Sequence, residues 1–201
     1  GLTASPERRT GDQRDQLNLA FDAIIDCANI EDLIDEGVLV KPIYRPHFVH
    51  DLNLASIDIS SGDFPIEKLS NAIIRSSMID YAIWSYKEER SKLAADPISA
   101  WFCADISVAE ATLSAIEQCG VDAAIVTAKT PIKERMKLLR LHEAGEIEAI
   151  VSVGVLAEGW DNPNCNIIVH LRPTLSKVLW GQSVGRGLRS APGKDRCVVI
   201  D

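Results

Sequence analysis

Long apolar runs are missing from this chain of 201 residues. No stretch reaches the eighteen or more residues that a membrane span needs, and the start does not read as a signal peptide, so no membrane partner is expected. An excess of positive charge is missing too. With 21 Lys and Arg against 29 Asp and Glu the net charge is -8, which excludes a general polyanion binder and confines any nucleic-acid contact to backbone amides and a few placed cations. No C-x-x-C pair exists among the five cysteines (Cys27, Cys103, Cys119, Cys165, Cys197), so neither a zinc ribbon nor a redox motif is supported, and a reducing cytoplasm is the simplest compartment. His47 and His50 form an H-x-x-H pair, but no further ligand type clusters with them and no metal site is expected. Internal repeats and low-complexity segments are absent.

What is present is an ordinary globular composition, 46% hydrophobic and 25% charged, enough for one good core. From about residue 100 the pattern alternates. Strand-like runs occur at Ala100–Ala104, Val121–Val126, Ile147–Val151, Ile167–Leu171 and Cys197–Ile200. Between them lie helices. One opens with a Ser107/Glu110 capping box and ends near Gly120; the next has Thr130 as N-cap, Pro131 at N1 and Ile132, Met136 and Leu139 at core spacing; a third carries Gln182. Strict alternation predicts an α/β fold, a parallel sheet with helices on both faces. Residues 1–99 are less regular. A short helix is expected between Asn29 and Gly37, then an extended stretch with Pro42 and Pro46, then one long helix from Asp63 to Arg90.

The chemistry-bearing residues lie near the C-terminus, in the string Q-S-V-G-R-G-L-R. On a continuous helix Gln182, Arg186 and Arg189 stand at i, i+4, i+7, which would put an amide and two guanidiniums on one face. Two permanently charged planar forks suit a phosphate whose negative charge grows during transfer. Gly185 and Gly187 would let a ligand or another segment come close to them. Upstream, a buried strand runs into Glu158-Gly159-Trp160-Asp161. In open α/β sheets ligands sit at the carboxyl ends of strands, where this turn is expected. Gly159 offers backbone freedom, and Asp161 a carboxylate for a ribose hydroxyl or a cation.

The order of these elements resembles the second RecA-like domain of superfamily 2 helicases, in the branch that includes repair and restriction-associated DNA helicases. Gly159 to Asp161 matches the fifth motif of that family and Gln182 to Arg189 the sixth. Trp101-Phe102-Cys103-Ala104 with its following helix is similar to the fourth, and Leu2-Thr3-Ala4-Ser5-Pro6-Glu7-Arg8 resembles the third. The resemblance implies three parts: residues 1–29 as the end of a first motor domain and its linker, 30–98 as a linking or accessory helical segment, and 99–201 as the helicase C-terminal RecA-like domain. It implies an ATP-dependent motor on DNA, with RNA not excluded, whose ATP lies between two RecA-like domains. Arg189 is then the finger on the γ-phosphate with Arg186 beside it, Gln182 orients the cleft, Gly159 and Asp161 meet the nucleotide, and Thr3 with Ser5 couples phosphate sensing to nucleic acid. Ser152, Thr127 and Lys129 become the nucleic-acid contacts, Ser152 because Val153 stands where the family often has threonine. The chain contains no G-x-G-K-[ST] phosphate loop and no D-E-x-H or D-E-A-D box, so the Mg²⁺ ligands are expected on an N-terminal RecA-like partner domain and this chain alone is expected to be inactive. The alternative is a non-catalytic α/β interaction module that retains motor motifs, which would suit the acidic charge.

Overall fold

The computed structural model describes residues 29–46, 48–59, 62–93, 96–156 and 160–201. Expectations placed on Thr3, Ser5, Cys27, His47 and Gly159 fall outside these residues. The described elements run α1 Ile30–Asp35, β1 Lys41–Arg45, a 3-10 turn Leu54–Ser56, α2 Ile66–Arg75, α3 Met78–Arg90, β2 Ser99–Cys103, α4 Ile106–Glu117, β3 Ala123–Thr127, α5 Ile132–Glu143, β4 Ala149–Val153, β5 Ile167–Leu171, α6 Lys177–Gly187 and β6 Arg196–Ile200. None of the described helices is long and apolar enough to cross a membrane.

Six strands form one parallel sheet in the order β1-β6-β5-β2-β4-β3. The α/β expectation therefore holds, and the sheet is wider than the alternating half of the sequence indicated. β1 lies within residues 30–98 and pairs with β6, Ile43 opposite Val198. It sits at the sheet edge, where Pro42 has no ladder donor to lose on its free side.

Period-two alternation sends successive strand residues to opposite faces. Trp101, Cys103, Val151, Val169, Leu171, Val198 and Ile200 join one core with Leu69 and Ile73 of α2, Met78, Ala82 and Tyr86 of α3 and Val108, Ala109 and Ile116 of α4. Ala100, Phe102, Ile150, Ile168, Cys197 and Val199 join the other with Val184 and Leu188 from α6 and its C-cap, Trp160 and Cys165. Right-handed crossovers explain the division. The step from β2 out to β3 runs over the first face through α4. The return steps through α5 and α6 run over the second. A charged tie closes the first face: Arg90 pairs with Glu148 through its second nitrogen at 2.7 Å, and the Tyr86 hydroxyl donates to the same carboxylate.

Several local expectations are corrected. The long helix from Asp63 to Arg90 is two helices, α2 and α3. Ser76 is extended (φ -98°, ψ 170°), its hydroxyl donates to the Ile73 carbonyl at 2.9 Å, and the Ser77 amide and hydroxyl both donate to Asp51 at 2.9 Å. Adjacent serines offer the backbone local partners that compete with a continuing helix. Asp105 caps α4, accepting from the Val108 amide at 3.0 Å, in place of Ser107. Thr130 does not cap α5, because its hydroxyl accepts the Thr127 amide at 3.0 Å and Pro131 takes the cap position. Ile132 and Met136 are 65% and 49% exposed, so they are not core. Helix α5 lies over β3 and β4 at the sheet margin, and it is Leu138, Leu139 and the buried His142 near its C-terminal end that pack against the core.

Candidate phosphate-facing site

Helix α6 delivers Gln182 and Arg186, the first two of the three candidate residues in the glycine-arginine string. Ser176 caps it, accepting the Leu179 amide at 3.3 Å, and Gln182 and Arg186 follow one turn apart, both half-buried. The helix stops at Gly187 with Leu188 as its C-cap, so Arg189 is not on it. The shared helical face expected for Gln182, Arg186 and Arg189 therefore includes only the first two. Arg189 leaves in an extended direction and pairs with Leu39 in an isolated antiparallel bridge, while the Val40 amide donates to the Leu188 carbonyl at 2.7 Å.

The arginines meet again through the Trp160-Asp161 turn. Arg186 donates to the Trp160 carbonyl, and Arg189 forms an ion pair with the Asp161 carboxylate. The Arg189 and Asp161 side chains are 41% and 55% exposed. The sequence thus brings Arg186, Arg189 and Asp161 together by tertiary contact rather than by helical periodicity. Both sides of this contact lie on the same face of the sheet, since α6 and Trp160 belong to one core.

The turn is also not at the carboxyl ends of the strands. Asn162, which is 1% exposed, donates its amide to His142 Nδ1 at 3.2 Å, and His142 Nε2 donates to the carbonyl of Ser99, the first residue of β2, at 3.0 Å. Asn166 accepts the Ile98 amide at 3.0 Å just before β5. These bonds set residues 160–166 at the amino-terminal edge, and Arg189 beside Leu39, just ahead of β1, lies at that edge as well. Thr127 and Ser152 stand at the carboxyl ends of β3 and β4, about 15 Å away for strands of this length. Lys129 is exposed in the loop after β3, and its amide donates to the Thr127 hydroxyl at 3.1 Å. Ser152 is fully buried and its hydroxyl accepts the Leu156 amide at 3.3 Å, so its side chain faces the interior.

The two glycines of the string differ. A Cβ on Gly187 would stand 2.5 Å from Ile168 Cγ1 and 2.6 Å from Cys197 Sγ, so this residue lets α6 settle on the sheet rather than opening space for a ligand. Gly185 is exposed and a Cβ there would meet nothing within 4 Å. Gly187→Ala is expected to destabilise the chain by about 1–3 kcal/mol through overpacking. Gly185→Ala is expected to be neutral or stabilising by up to about 1 kcal/mol, since alanine is the better helix former. Urea unfolding of both variants checks the contrast, and equal losses would contradict the packing role of Gly187.

Three groups that the sequence did not single out position these parts. His142, buried and pushed down to about 4 by desolvation, is a neutral donor-acceptor link between α5, β2 and Asn162. Lys194 sends its ammonium to three carbonyls: Pro163 at 2.7 Å, Gly187 at 2.8 Å and Arg189 at 2.8 Å. Asp63 holds the loop ahead of α6, accepting from the Thr174 hydroxyl at 2.7 Å and the Leu175 amide at 3.0 Å. Burial pushes the Asp63 carboxyl up, but these donors and nearby Arg172 outweigh it and leave it lowered. A lone histidine, lysine or aspartate far away in sequence carries no spacing signal.

Comparison with known proteins agrees with this architecture. Residues 93–191 match the helicase conserved C-terminal domain. The whole chain aligns at 28% identity with IRC3 of Saccharomyces cerevisiae, which bears the name of an ATP-dependent helicase, and covers 28% of its length. It aligns at 26% with a 51.5 kDa protein of a Lactococcus phage, covering 42% of that protein. The chain thus spans well under half the length of these relatives. Among solved structures, a fragment described as the HsdR subunit of a type I restriction enzyme from Vibrio vulnificus superposes with a TM-score of 0.62 at 19% identity, over 84% of this chain and 33% of that one. The C-terminal domain of the DEAD-box protein Dbp5 superposes with a TM-score of 0.53 at 18% identity, over 82% and 77%. A parallel sheet of this order and the match over residues 93–191 lead to one conclusion: the chain has the RecA-like α/β fold of helicase C-terminal domains.

Proposed function

We propose that this chain is the C-terminal motor half of an ATP-dependent DNA helicase or translocase, and that it supplies arginines to ATP bound mainly by a preceding RecA-like domain. The observation that carries the reading is the half-exposed Arg189–Asp161 ion pair. A surface ion pair is worth only about 0–1 kcal/mol, so Arg189 can exchange the Asp161 carboxylate for a phosphate oxygen at little cost. ATP bound there would supply a γ-phosphoryl group whose charge grows as its bond breaks. Arg189 would lie against that charge, and Arg186, anchored on the Trp160 carbonyl, would hold the turn in register beside it. Gln182, one turn earlier, would orient the cleft. Asp161, released from Arg189, would be free for a ribose hydroxyl.

Among the described residues no group of three or more His, Cys, Asp or Glu could hold a metal ion. The donor set for Mg²⁺ would belong to the partner domain along with the phosphate loop. Residues 1–29, with Thr3 and Ser5, would close that domain, and residues 30–98, which contribute β1, α2 and α3 to the sheet and its core, would lead from it into the fold described above. Nucleic acid would cross the carboxyl edge at Thr127 and Lys129. The side chain of Ser152 is buried there, which leaves that stretch to loop amides. The buried thiols of Cys103, Cys165 and Cys197 suit a reducing cytoplasm.

The test is ATP turnover by the intact protein with single-stranded DNA, duplex DNA and RNA added in parallel. Strong stimulation by either DNA form supports the reading. Stimulation by RNA alone would transfer the motor to RNA, and no turnover under any condition would favour a non-catalytic module.

A further inference from the structure

The phosphate-facing arginine and the Asp161 turn belong to segments 28 residues apart in sequence, and one ammonium touches both. Gly193 takes φ 80°, a conformation that glycine adopts freely, and the Lys194 amide closes a turn onto the Ala191 carbonyl at 3.0 Å. The turn folds the Lys194 side chain back beneath the end of α6. An ammonium has three donors and no acceptor. All three are used, on the carbonyls of Gly187, Arg189 and Pro163, at 2.7–2.8 Å. The first lies in the last helical turn, where carbonyls lack intrahelical partners and a cation is favoured. The second belongs to Arg189 itself, and the third to the turn that carries Asp161.

The structure assigns Lys194 the role of a positioning residue that fixes the backbone of Arg189 against the Asp161 turn, so that the guanidinium is aimed before nucleotide arrives. This rests on the finger reading of Arg189. The bridge to Leu39 and the Val40 amide hold the Leu188–Arg189 segment from the side of β1. Lys194 holds it from the side of the Asp161 turn. Without the ammonium, three carbonyls lose their partner and the two segments can part by an ångström or so. A displacement of that size is enough to cost about 10- to 100-fold in a step that depends on aim.

The experiment measures kcat and ATP affinity of the intact protein for Lys194→Met, Arg189→Ala and the double variant, with thermal unfolding alongside. The expected result is a loss of about 10- to 100-fold in kcat for Lys194→Met with ATP affinity retained, and no further loss when it is added to Arg189→Ala, because the lysine acts through the arginine. Lys194→Arg keeps the charge but cannot aim three donors from one atom, so it should restore part of the rate. If Lys194→Met does not fold, Lys194→Arg alone and combined with Arg189→Ala carries the same comparison. Wild-type kcat in a folded Lys194 variant, or losses that multiply in the double variant, would overturn the assignment while leaving the finger intact. Unchanged kcat in Arg189→Ala is a different outcome, removing the finger reading and the positioning role with it.

Discussion

Replacing Arg189 by Ala in the intact protein is expected to lower kcat by about 10³- to 10⁵-fold while ATP still binds. The size follows from what the residue is asked to do. A guanidinium brought to the γ-phosphate in a water-poor cleft stabilises charge that exists mainly in the transition state, so its loss falls on turnover rather than on ground-state affinity. The geometry leaves the side chain available for this. Arg189 is 41% exposed and spends its charge on a half-exposed carboxylate, a pairing that contributes little to folding. Arg186 is more deeply committed, through the Trp160 carbonyl, so Arg186→Ala is expected to disturb the turn as well as the chemistry. Steady-state turnover with an equilibrium ATP-binding measurement separates the two. An Arg189 variant with wild-type kcat would take the finger role away from this residue.

The second large effect is on stability in mild acid. His142 and His170 are both buried, and desolvation pushes each from 6.5 down to about 4. His142 accepts from Asn162 and donates to Ser99, a pattern that uses the neutral ring and has no place for a second proton. His170 lies toward the carboxyl end of β5, stacked on Phe102 with centroids 5.4 Å apart and bonded to the Ser183 hydroxyl at 2.6 Å. Asp201 raises its affinity for a proton and Arg172 lowers it, but burial dominates both. A folded-state value below the unfolded one means that protons bind the unfolded chain more tightly. The stability from these rings is complete above about pH 6.5 and is lost as pH falls through 6.5 toward 4. By about pH 5 each ring should have cost about 2 kcal/mol, which for a domain of marginal stability is a large fraction of the total. Urea unfolding between pH 7.5 and 5 reads this directly. His142→Asn should flatten the lower part of the profile even if it starts less stable, and a level profile in the unsubstituted chain would contradict the neutral buried rings.

The alternating half of the chain was readable because its strands are continuous β-branched runs, Ile167 to Val169 and Val198 to Ile200 among them, with glycine or proline at their borders. Parallel strands buried on both faces leave that mark. Strand β1 was read only as an extended stretch, since five residues with a proline at an edge carry no periodicity to count. The helix break at Ser76-Ser77 was hidden for a different reason: apolar spacing continues across it, and what breaks the helix is Asp51, 26 residues away. The arginines were found by residue type and order, yet their spacing suggested the wrong geometry. Helix α6 ends before Arg189, and the convergence on Asp161 depends on which face of the sheet each crossover follows. Lys194, Asp63 and His142 act through backbone carbonyls, amides and a buried ring, and such contacts leave no pattern in a single sequence.

On the proposed reading, the arginines lie on one side of a nucleotide whose phosphates are cradled elsewhere. The most direct measurement is ATP turnover by the purified 201-residue chain, with and without DNA. The account predicts turnover indistinguishable from buffer in both cases, because the sequence contains neither a G-x-G-K-[ST] phosphate-loop motif nor a D-E-x-H or D-E-A-D motif. Robust, DNA-stimulated turnover that tracks the purified chain and disappears in Arg189→Ala would contradict it, since the chain would then hold a complete ATP site of its own.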